Sequence, residues 1–176
     1  MLGGPIDAVV DLDRRVLAAH RGASLVLSRR GALRENVPVT SDQPVFPDPT
    51  ASITPLLAVV DLDASLQFWV EQLGGEVQVR WDTYALVRVG AGQLHLAVAG
   101  DAPPDRSIRL VPPDRDQAVA SGEVVLQVAD CRAVVAALLE RGVQFLGPPA
   151  EPPWGGEVRA FTRDPDGHLV EITSAT

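Results

Sequence analysis

The chain has 176 residues, a formal net charge of -8, and 46% hydrophobic but only 5% aromatic residues. This length and balance fit one globular domain, or two small fused modules, with a core built mainly from Val, Leu and Ala. The acidic charge disfavours nucleic acid and anionic membrane surfaces as partners, and it favours neutral or cationic small molecules.

The sequence also favours the cytoplasm as the location. Its single cysteine, Cys131, cannot form an internal disulfide. No apolar run approaches the roughly 18 residues that cross a bilayer. The opening residues carry acids where a secretion signal needs a basic start, so we expect no signal peptide.

The first 52 residues are predicted to stand apart from the rest. Residues 1–35 are predicted to form an extension with a β-like run at Ile6–Val10 and an arginine-bearing helix from Arg14. Residues 36–52 carry four prolines and no long helix or strand period, which is typical of a linker.

Residues 53–100 have the pattern of a β-α-β-β-β module. An apolar strand at Ile53–Val60 leads into a helix with Asp61 or Asp63 at its N-cap and Gly74-Gly75 as its stop. Three more strands are predicted, at Glu76–Arg80, Tyr84–Val89 and Gln93–Val98.

Residues 121–176 repeat this order. The predicted strand Glu123–Val128 is followed by a helix that is capped by Asp130 and ended by Gly142. Three strands are then predicted, at Val143–Gly147, Glu157–Asp164 and His168–Thr173. The repeat indicates an internal duplication of about fifty residues and an α+β fold.

Strand alternation separates the side chains under the helices from those on the uncovered faces. It places His95, Glu123 and Glu171 on uncovered faces. If the sheets curve around one cavity, this set suits a divalent ion such as Zn, Ni, Mn or Fe. Without a metal, the two glutamates would share a proton and form a catalytic acid/base pair. A solvent-facing sheet would also carry such polar residues without any function.

Four further residues are candidates for substrate contacts or for ordinary surface positions. Trp154, beside two glycines, is either the aromatic wall of a pocket or a loop tryptophan that covers a sheet edge. Gln127 shares the uncovered face of Glu123. Arg88 and Arg159 also alternate away from apolar neighbours, as anion-binding groups or, the favoured interpretation, as solvated surface arginines.

The paired modules, the helix phrase DLDASLQFWVEQLGG and the closing phrase PPWGGEVRAFTRDPDGHLVEI resemble the vicinal oxygen chelate superfamily. This superfamily includes glyoxalase I, ring-cleaving dioxygenases, epimerases, and the bleomycin and fosfomycin resistance proteins. The resemblance covers residues 53–176. It implies two βαβββ modules that form a curved mixed sheet around a cleft.

For the site, the resemblance implies metal ligands at His95, Glu123 and Glu171. Its fourth ligand position is Thr54, where a histidine usually stands; threonine is a poor ligand, so Thr54 is expected to contact the substrate. One expectation is a metal-dependent lyase, isomerase or dioxygenase that acts on a small molecule. The FW of LQFWVEQL and the PWG loop also resemble bleomycin-resistance proteins, which are metal-free dimers that sequester a cationic drug. The alternative is therefore a homodimer that binds a cationic or aromatic molecule and needs no cofactor.

Overall fold

A computed structural model describes Asp48 and residues 50–176. The predicted N-terminal strand and helix, and most of the predicted linker, lie outside the described residues, so their boundaries stay predictions. The residues from Ile53 to Thr176 belong to one unit. No helix in this described part is long and apolar enough to cross a membrane.

The first module contains a four-stranded sheet and one helix. Its elements are β1 (Leu56–Val59), α1 (Leu62–Leu66) with a π-helical continuation (Gln67–Gln72), β2 (Glu76–Trp81), β3 (Tyr84–Val89) and β4 (Gly92–Val98). The strand order is β1-β4-β3-β2. β1 runs parallel to β4, and the other pairs are antiparallel.

The ends of the first helix follow from its sequence. Asp61 is the N-cap, because its side chain accepts hydrogen bonds from the backbone N–H groups of Asp63 and Ala64 at 2.9 and 3.2 Å. In the π-helical part, the Leu73 N–H donates to the Phe68 carbonyl at 2.9 Å. The helix then stops at Gly74, whose φ of 79° is a conformation that glycine adopts easily.

The second module repeats this plan with one strand fewer. Its elements are β5 (Glu123–Gln127), α2 (Cys131–Glu140), β6 (Glu157–Arg163) and β7 (Leu169–Ala175). The strand order is β5-β7-β6, and β5 is parallel to β7 as β1 is to β4. The structure therefore has the predicted α+β class, with two related modules.

The strand predicted at Val143–Gly147 is wrong. Only Phe145 forms a bridge, with Thr162, and the Leu146 N–H donates to the Phe161 carbonyl at 2.8 Å. The chain then runs through Pro148 and Pro149, which have no N–H to extend a ladder of hydrogen bonds. This segment consequently follows the edge of β6 without becoming a regular strand.

The two modules share one hydrophobic core, in which Trp69 and Ile172 are almost completely buried. Polar contacts join them as well, and we call this set the inter-module clasp. Asp166 accepts hydrogen bonds from the Val60 N–H at 2.7 Å and the Ser65 hydroxyl at 2.9 Å. His168 Nε2 donates to the Ala58 carbonyl at 2.8 Å. The turn before β7 is thus fixed to the junction of β1 and α1.

Candidate functional site

The uncovered sheet faces are the ones that strand alternation predicts. On β4, Leu94 and Leu96 are buried in the core, whereas His95 between them is half-buried on the opposite face. On β7, Val170 and Ile172 point into the core, and Glu171 lies on the other side. Glu171 is nevertheless only 4% exposed, so other groups cover this part of the face.

The uncovered face of the first module carries the Tyr84 cluster, which consists of Trp81, Tyr84 and His95. The Tyr84 hydroxyl is hydrogen-bonded to His95 Nδ1 at 2.5 Å. The Tyr84 ring stacks on Trp81 with centroids 5.0 Å apart and meets the His95 ring edge-on. These contacts hold the imidazole against the Tyr84 ring, which Trp81 supports from its own side.

The uncovered face of the second module carries the Arg159 cluster, which consists of Trp154, Glu157, Arg159, Phe161 and Glu171. The Arg159 guanidinium lies 3.6 Å from a carboxylate oxygen of Glu157 and 3.6 Å from one of Glu171. It also lies 4.8 Å from the ring centroid of Trp154 and 5.3 Å from that of Phe161. Both distances are within cation-π range.

The register of β6 and β7 builds this cluster. Glu157, Arg159 and Phe161 alternate with the buried Val158 and Ala160, so all three share one face of β6. Phe161 pairs with Glu171 across the antiparallel ladder, which places the carboxylate beside the guanidinium.

A glycine turn brings Trp154 to the same face. Gly155 and Gly156 have φ values of 70° and 82°, a conformation that glycine adopts at little cost. The indole Nε1 donates a hydrogen bond to Glu157 at 3.0 Å. The ring is still 70% exposed, so it can contact a ligand.

The pKa of Glu171 is raised above its ordinary value. Burial is the largest cause and the charge of Glu123 is the second, while the Arg159 guanidinium acts in the opposite direction. The two glutamates therefore lie close enough to interact, as the predicted acid/base pair requires. A catalytic role for Glu171 and Glu123 stays a prediction.

The predicted metal ligands are divided between the two sheets. His95 belongs to β4, whereas Glu123 and Glu171 belong to β5 and β7. Within the described residues, no group of three or more His, Cys, Asp or Glu side chains is arranged to hold a metal ion. A three-ligand site on one chain thus does not fit these donors, and we assign no step to a metal. The divalent ion stays a prediction.

The other predicted contact residues have different surroundings. Gln127 lines a cavity of about 370 Å³ whose wall also includes Glu157 and Thr173, so this cavity adjoins the Arg159 cluster. Arg88 forms an ion pair with Glu76 on the neighbouring strand β2. Thr54 is half-buried, two residues before β1. Their roles in substrate binding stay predictions.

Sequence reasoning missed Glu157 and Phe161, and it underestimated Arg159. The expectation of a solvated surface arginine is wrong for Arg159, whose side chain is 24% exposed and lies between two carboxylates. The available signal was the alternation Glu157-x-Arg159-x-Phe161 on a strand whose neighbour carries Glu171.

A βαβββ module and a related βαββ module, each with an uncovered sheet face, are the features that indicate the class of this protein. Residues 50–172 match the sequence pattern of the Glyoxalase/Bleomycin resistance protein/Dioxygenase superfamily. The chain therefore belongs to this superfamily, as its resemblance implied.

Solved structures agree with this membership. A glyoxalase/bleomycin resistance protein/dioxygenase from Nocardioides has a TM-score of 0.57 and 23% identity, covering 78% of this chain and 87% of its own. A bleomycin-binding protein complexed with bleomycin has a TM-score of 0.54 and 21% identity, covering 72% and 100%. A glyoxalase-related enzyme from Fulvimarina pelagi has a TM-score of 0.52 and 25% identity, covering 70% and 87%.

No curated protein matches the chain. Identities this low to the Nocardioides and bleomycin-binding structures establish the fold alone. The activity must therefore be inferred from the site.

Proposed function

We propose that this chain binds a small, planar, cationic molecule at the Arg159 cluster, without transforming it. The observation that carries the proposal is the charge balance beside an exposed indole. Glu157, Glu171 and the neighbouring Glu123 provide three carboxylates against the single guanidinium of Arg159. Such a surface attracts cations and repels anions.

The surroundings of the cluster suit a small ligand. The adjoining cavity of about 370 Å³ is in the range that such ligands occupy. Trp154 offers a large, rigid ring beside the acids, and a cation stacked on an indole is favoured by the quadrupole of the ring. A relative in the superfamily was crystallised with bleomycin bound, which supports a binding role without determining it here.

A second copy of the chain is the partner that we propose. β1 and β5 are end strands of their sheets among the described residues. Both present apolar side chains, since Leu56 is 40% exposed and Val125 is 48% exposed. Covering such edges removes apolar surface from water and protects unpaired strands. We expect sedimentation equilibrium to give twice the mass of the chain, and a monomer at micromolar concentration would contradict this proposal.

A fluorescence titration tests the binding function. Benzamidinium is a planar cation, and benzamide is its neutral near-isostere. We expect benzamidinium to quench tryptophan emission near pH 8 at concentrations at least about tenfold lower than benzamide requires. Trp154→Phe should abolish the response, whereas Trp81→Phe, in the Tyr84 cluster, should keep it. Equal responses to the two compounds would contradict the proposal.

Metal-dependent catalysis is a second candidate, and a specific observation favours it. Glu123 pairs with Leu169 across the parallel ladder, so its carboxylate shares a face with that of Glu171 two residues further on, and each charge disfavours the other. A divalent cation would relieve this repulsion. The described residues provide no third ligand beside the pair, so a further donor would have to come from another chain or from the substrate.

Metal content after mild dialysis tests this second candidate. We expect a metalloprotein to retain close to one equivalent of Zn, Ni, Mn or Fe, and Glu171→Gln to lose it. Glu76→Gln, which changes an exposed glutamate paired with Arg88, is the matched control. Less than about a tenth of an equivalent of every ion would reject the metal and leave the binding function.

A further inference from the structure

Arg159 occupies the position in which a cationic ligand would be best stabilised. We propose that it is a displaceable internal cation, and that the ligand of this site carries a planar group of the guanidinium or amidinium kind that takes its place. This inference rests on the proposed binding function and specifies the chemical class of the ligand. It also makes Arg159 the residue that sets the affinity of the site.

The contacts of Arg159 resemble a binding site that is already filled. Its guanidinium lies over the rings of Trp154 and Phe161, at 4.8 and 5.3 Å from their centroids. Two carboxylates flank it at 3.6 Å each. Aromatic rings combined with acidic groups are what proteins use to recognise organic cations. The chain therefore presents such a site and fills it with its own side chain.

The fit of Arg159 in this site is incomplete. Its Nε atom is buried and has no hydrogen-bond partner among the described residues. The two carboxylates at 3.6 Å are beyond the usual range of a charge-assisted hydrogen bond, which is about 2.7 to 2.9 Å. A free ligand is not tethered to β6, so it can approach the same carboxylates at hydrogen-bond distance. Such a ligand can compete with the internal guanidinium.

The geometry also favours displacement. The Arg159 side chain is already 24% exposed, so its flexible stem can turn the guanidinium into solvent. Trp154 is 70% exposed and can receive the ligand on its ring. The ion pair with Glu157 is partly exposed on both sides, and such pairs are weak and are screened by salt. Glu171 is buried, so its carboxylate must keep a cationic partner, and the ligand supplies one when Arg159 leaves. Exchange of Arg159 for a ligand therefore keeps the buried carboxylate paired, whereas departure of Arg159 without a ligand does not.

Substitution of Arg159 separates this inference from the function on which it rests. Arg159→Met keeps an unbranched apolar stem but removes the internal cation, so the carboxylates become free for the ligand. We expect the dissociation constant of benzamidinium to fall by about tenfold, while that of neutral benzamide stays within about twofold. Arg159→Lys keeps the charge without the planar group, so its dissociation constant should lie between those of the other two proteins.

The experiment is a calorimetric titration of the full chain with both compounds near pH 8, with thermal unfolding of each variant measured in parallel. Arg80→Met removes an exposed arginine of the first module that pairs with Asp63, and it should bind as the wild type does. Suppose that the wild type prefers benzamidinium to benzamide, but Arg159→Met binds benzamidinium no more tightly than the wild type does. That result would overturn the inference that Arg159 is a displaceable cation and would leave the proposed binding function intact. Equal affinities of the wild type for the two compounds would overturn the proposed function itself. If Arg159→Met does not fold, an unchanged dissociation constant in Arg159→Lys overturns the inference.

Discussion

The uncovered faces of the two modules have the same position in the fold and opposite chemical character. The Tyr84 cluster joins a phenol, an imidazole and an indole through one hydrogen bond and two ring contacts. The Arg159 cluster holds a guanidinium between two carboxylates and two aromatic rings. The β-α-β-β arrangement that the two modules share therefore determines where such a face lies, and the side chains on it determine which ligands it attracts.

The turns before the last strand of each module also differ in chemical character. In the first module, β3 and β4 are joined by the small residues Gly90 and Ala91. In the second, the turn contains Asp164 and Asp166, and Asp166 carries the inter-module clasp. The turn of the second module thus takes part in the polar contacts that join the two modules, whereas the Gly90-Ala91 turn has no polar side chain to do so.

The largest effect in this comparison is expected from removal of the clasp. Asp166→Ala removes the acceptor of the part-buried Val60 N–H and one of the two acceptors of the buried Ser65 hydroxyl, which also donates to the Asp61 carbonyl at 2.9 Å. We expect the free energy of unfolding to fall by about 3 kcal/mol. Urea denaturation measures it. Asp63→Ala, which removes an exposed partner of Arg80, should cost less than about 1 kcal/mol. Equal losses of unfolding free energy in the two variants would show that the clasp stabilises the fold no more than an exposed ion pair does.

A smaller, pH-dependent effect is expected from Glu171. Because burial raises its pKa in the folded protein, the folded state binds this proton more tightly than the unfolded state does. The contribution of Glu171 to stability therefore decreases as pH rises from about the ordinary value of 4.5 through the raised folded value. We expect Glu171→Gln to gain stability relative to the wild type across this range. Glu76→Gln is the control, and parallel pH profiles for Glu171→Gln and the wild type would contradict the raised pKa.

The same ionisation should control binding. A cation gains from Glu171 only when the carboxylate is charged, so the affinity of the wild type for benzamidinium should increase with pH across the same range. Glu171→Gln should bind more weakly, by up to about tenfold at high pH, with a flat pH profile. If the affinity of the wild type for benzamidinium does not change with pH, Glu171 does not contact the bound cation.

The smallest effect is expected in the Tyr84 cluster. Tyr84→Phe removes the hydrogen bond to His95 but keeps the aromatic ring. We expect a loss of about 1 kcal/mol in the free energy of unfolding and no change in the dissociation constant of benzamidinium. Calorimetry and urea denaturation measure the two quantities on one sample. A weaker affinity for the cation would show that both faces contribute to one site.

Much of the fold was predictable because its signals are local. Alternation and capping narrowed the first helix start to Asp61 or Asp63, of which Asp61 is the N-cap, and they located the second start at Asp130. The same signals wrongly predicted a strand at Val143–Gly147, because they did not register that Pro148 and Pro149 stop the pairing there. A period of two in a short apolar run does not reveal whether the hydrogen bonds of the ladder can continue.

The sequence predicted on which sheet face each site residue lies, but it did not predict which side chains it would contact there. Alternation placed Glu171 on the correct side of β7, yet its burial and its pairing with Arg159 depend on the register of β6 against β7. The grouping of His95 with the glutamates assumed that both sheets surround one cavity on one chain. No such three-residue group is present among the described residues. The distance between the faces of two sheets depends on tertiary packing, and strand alternation gives no information about it.

The most direct test is to locate a bound cation by crystallography of the full chain with benzamidinium near pH 8. The proposed function predicts that the probe stacks on Trp154, within about 6 Å of its ring centroid, with its amidinium group beside Glu171. The displaceable cation predicts in addition that the Arg159 guanidinium has moved out of the cluster. A probe seated on the Tyr84 cluster, or no bound probe at saturating concentration, would contradict the assignment of the site.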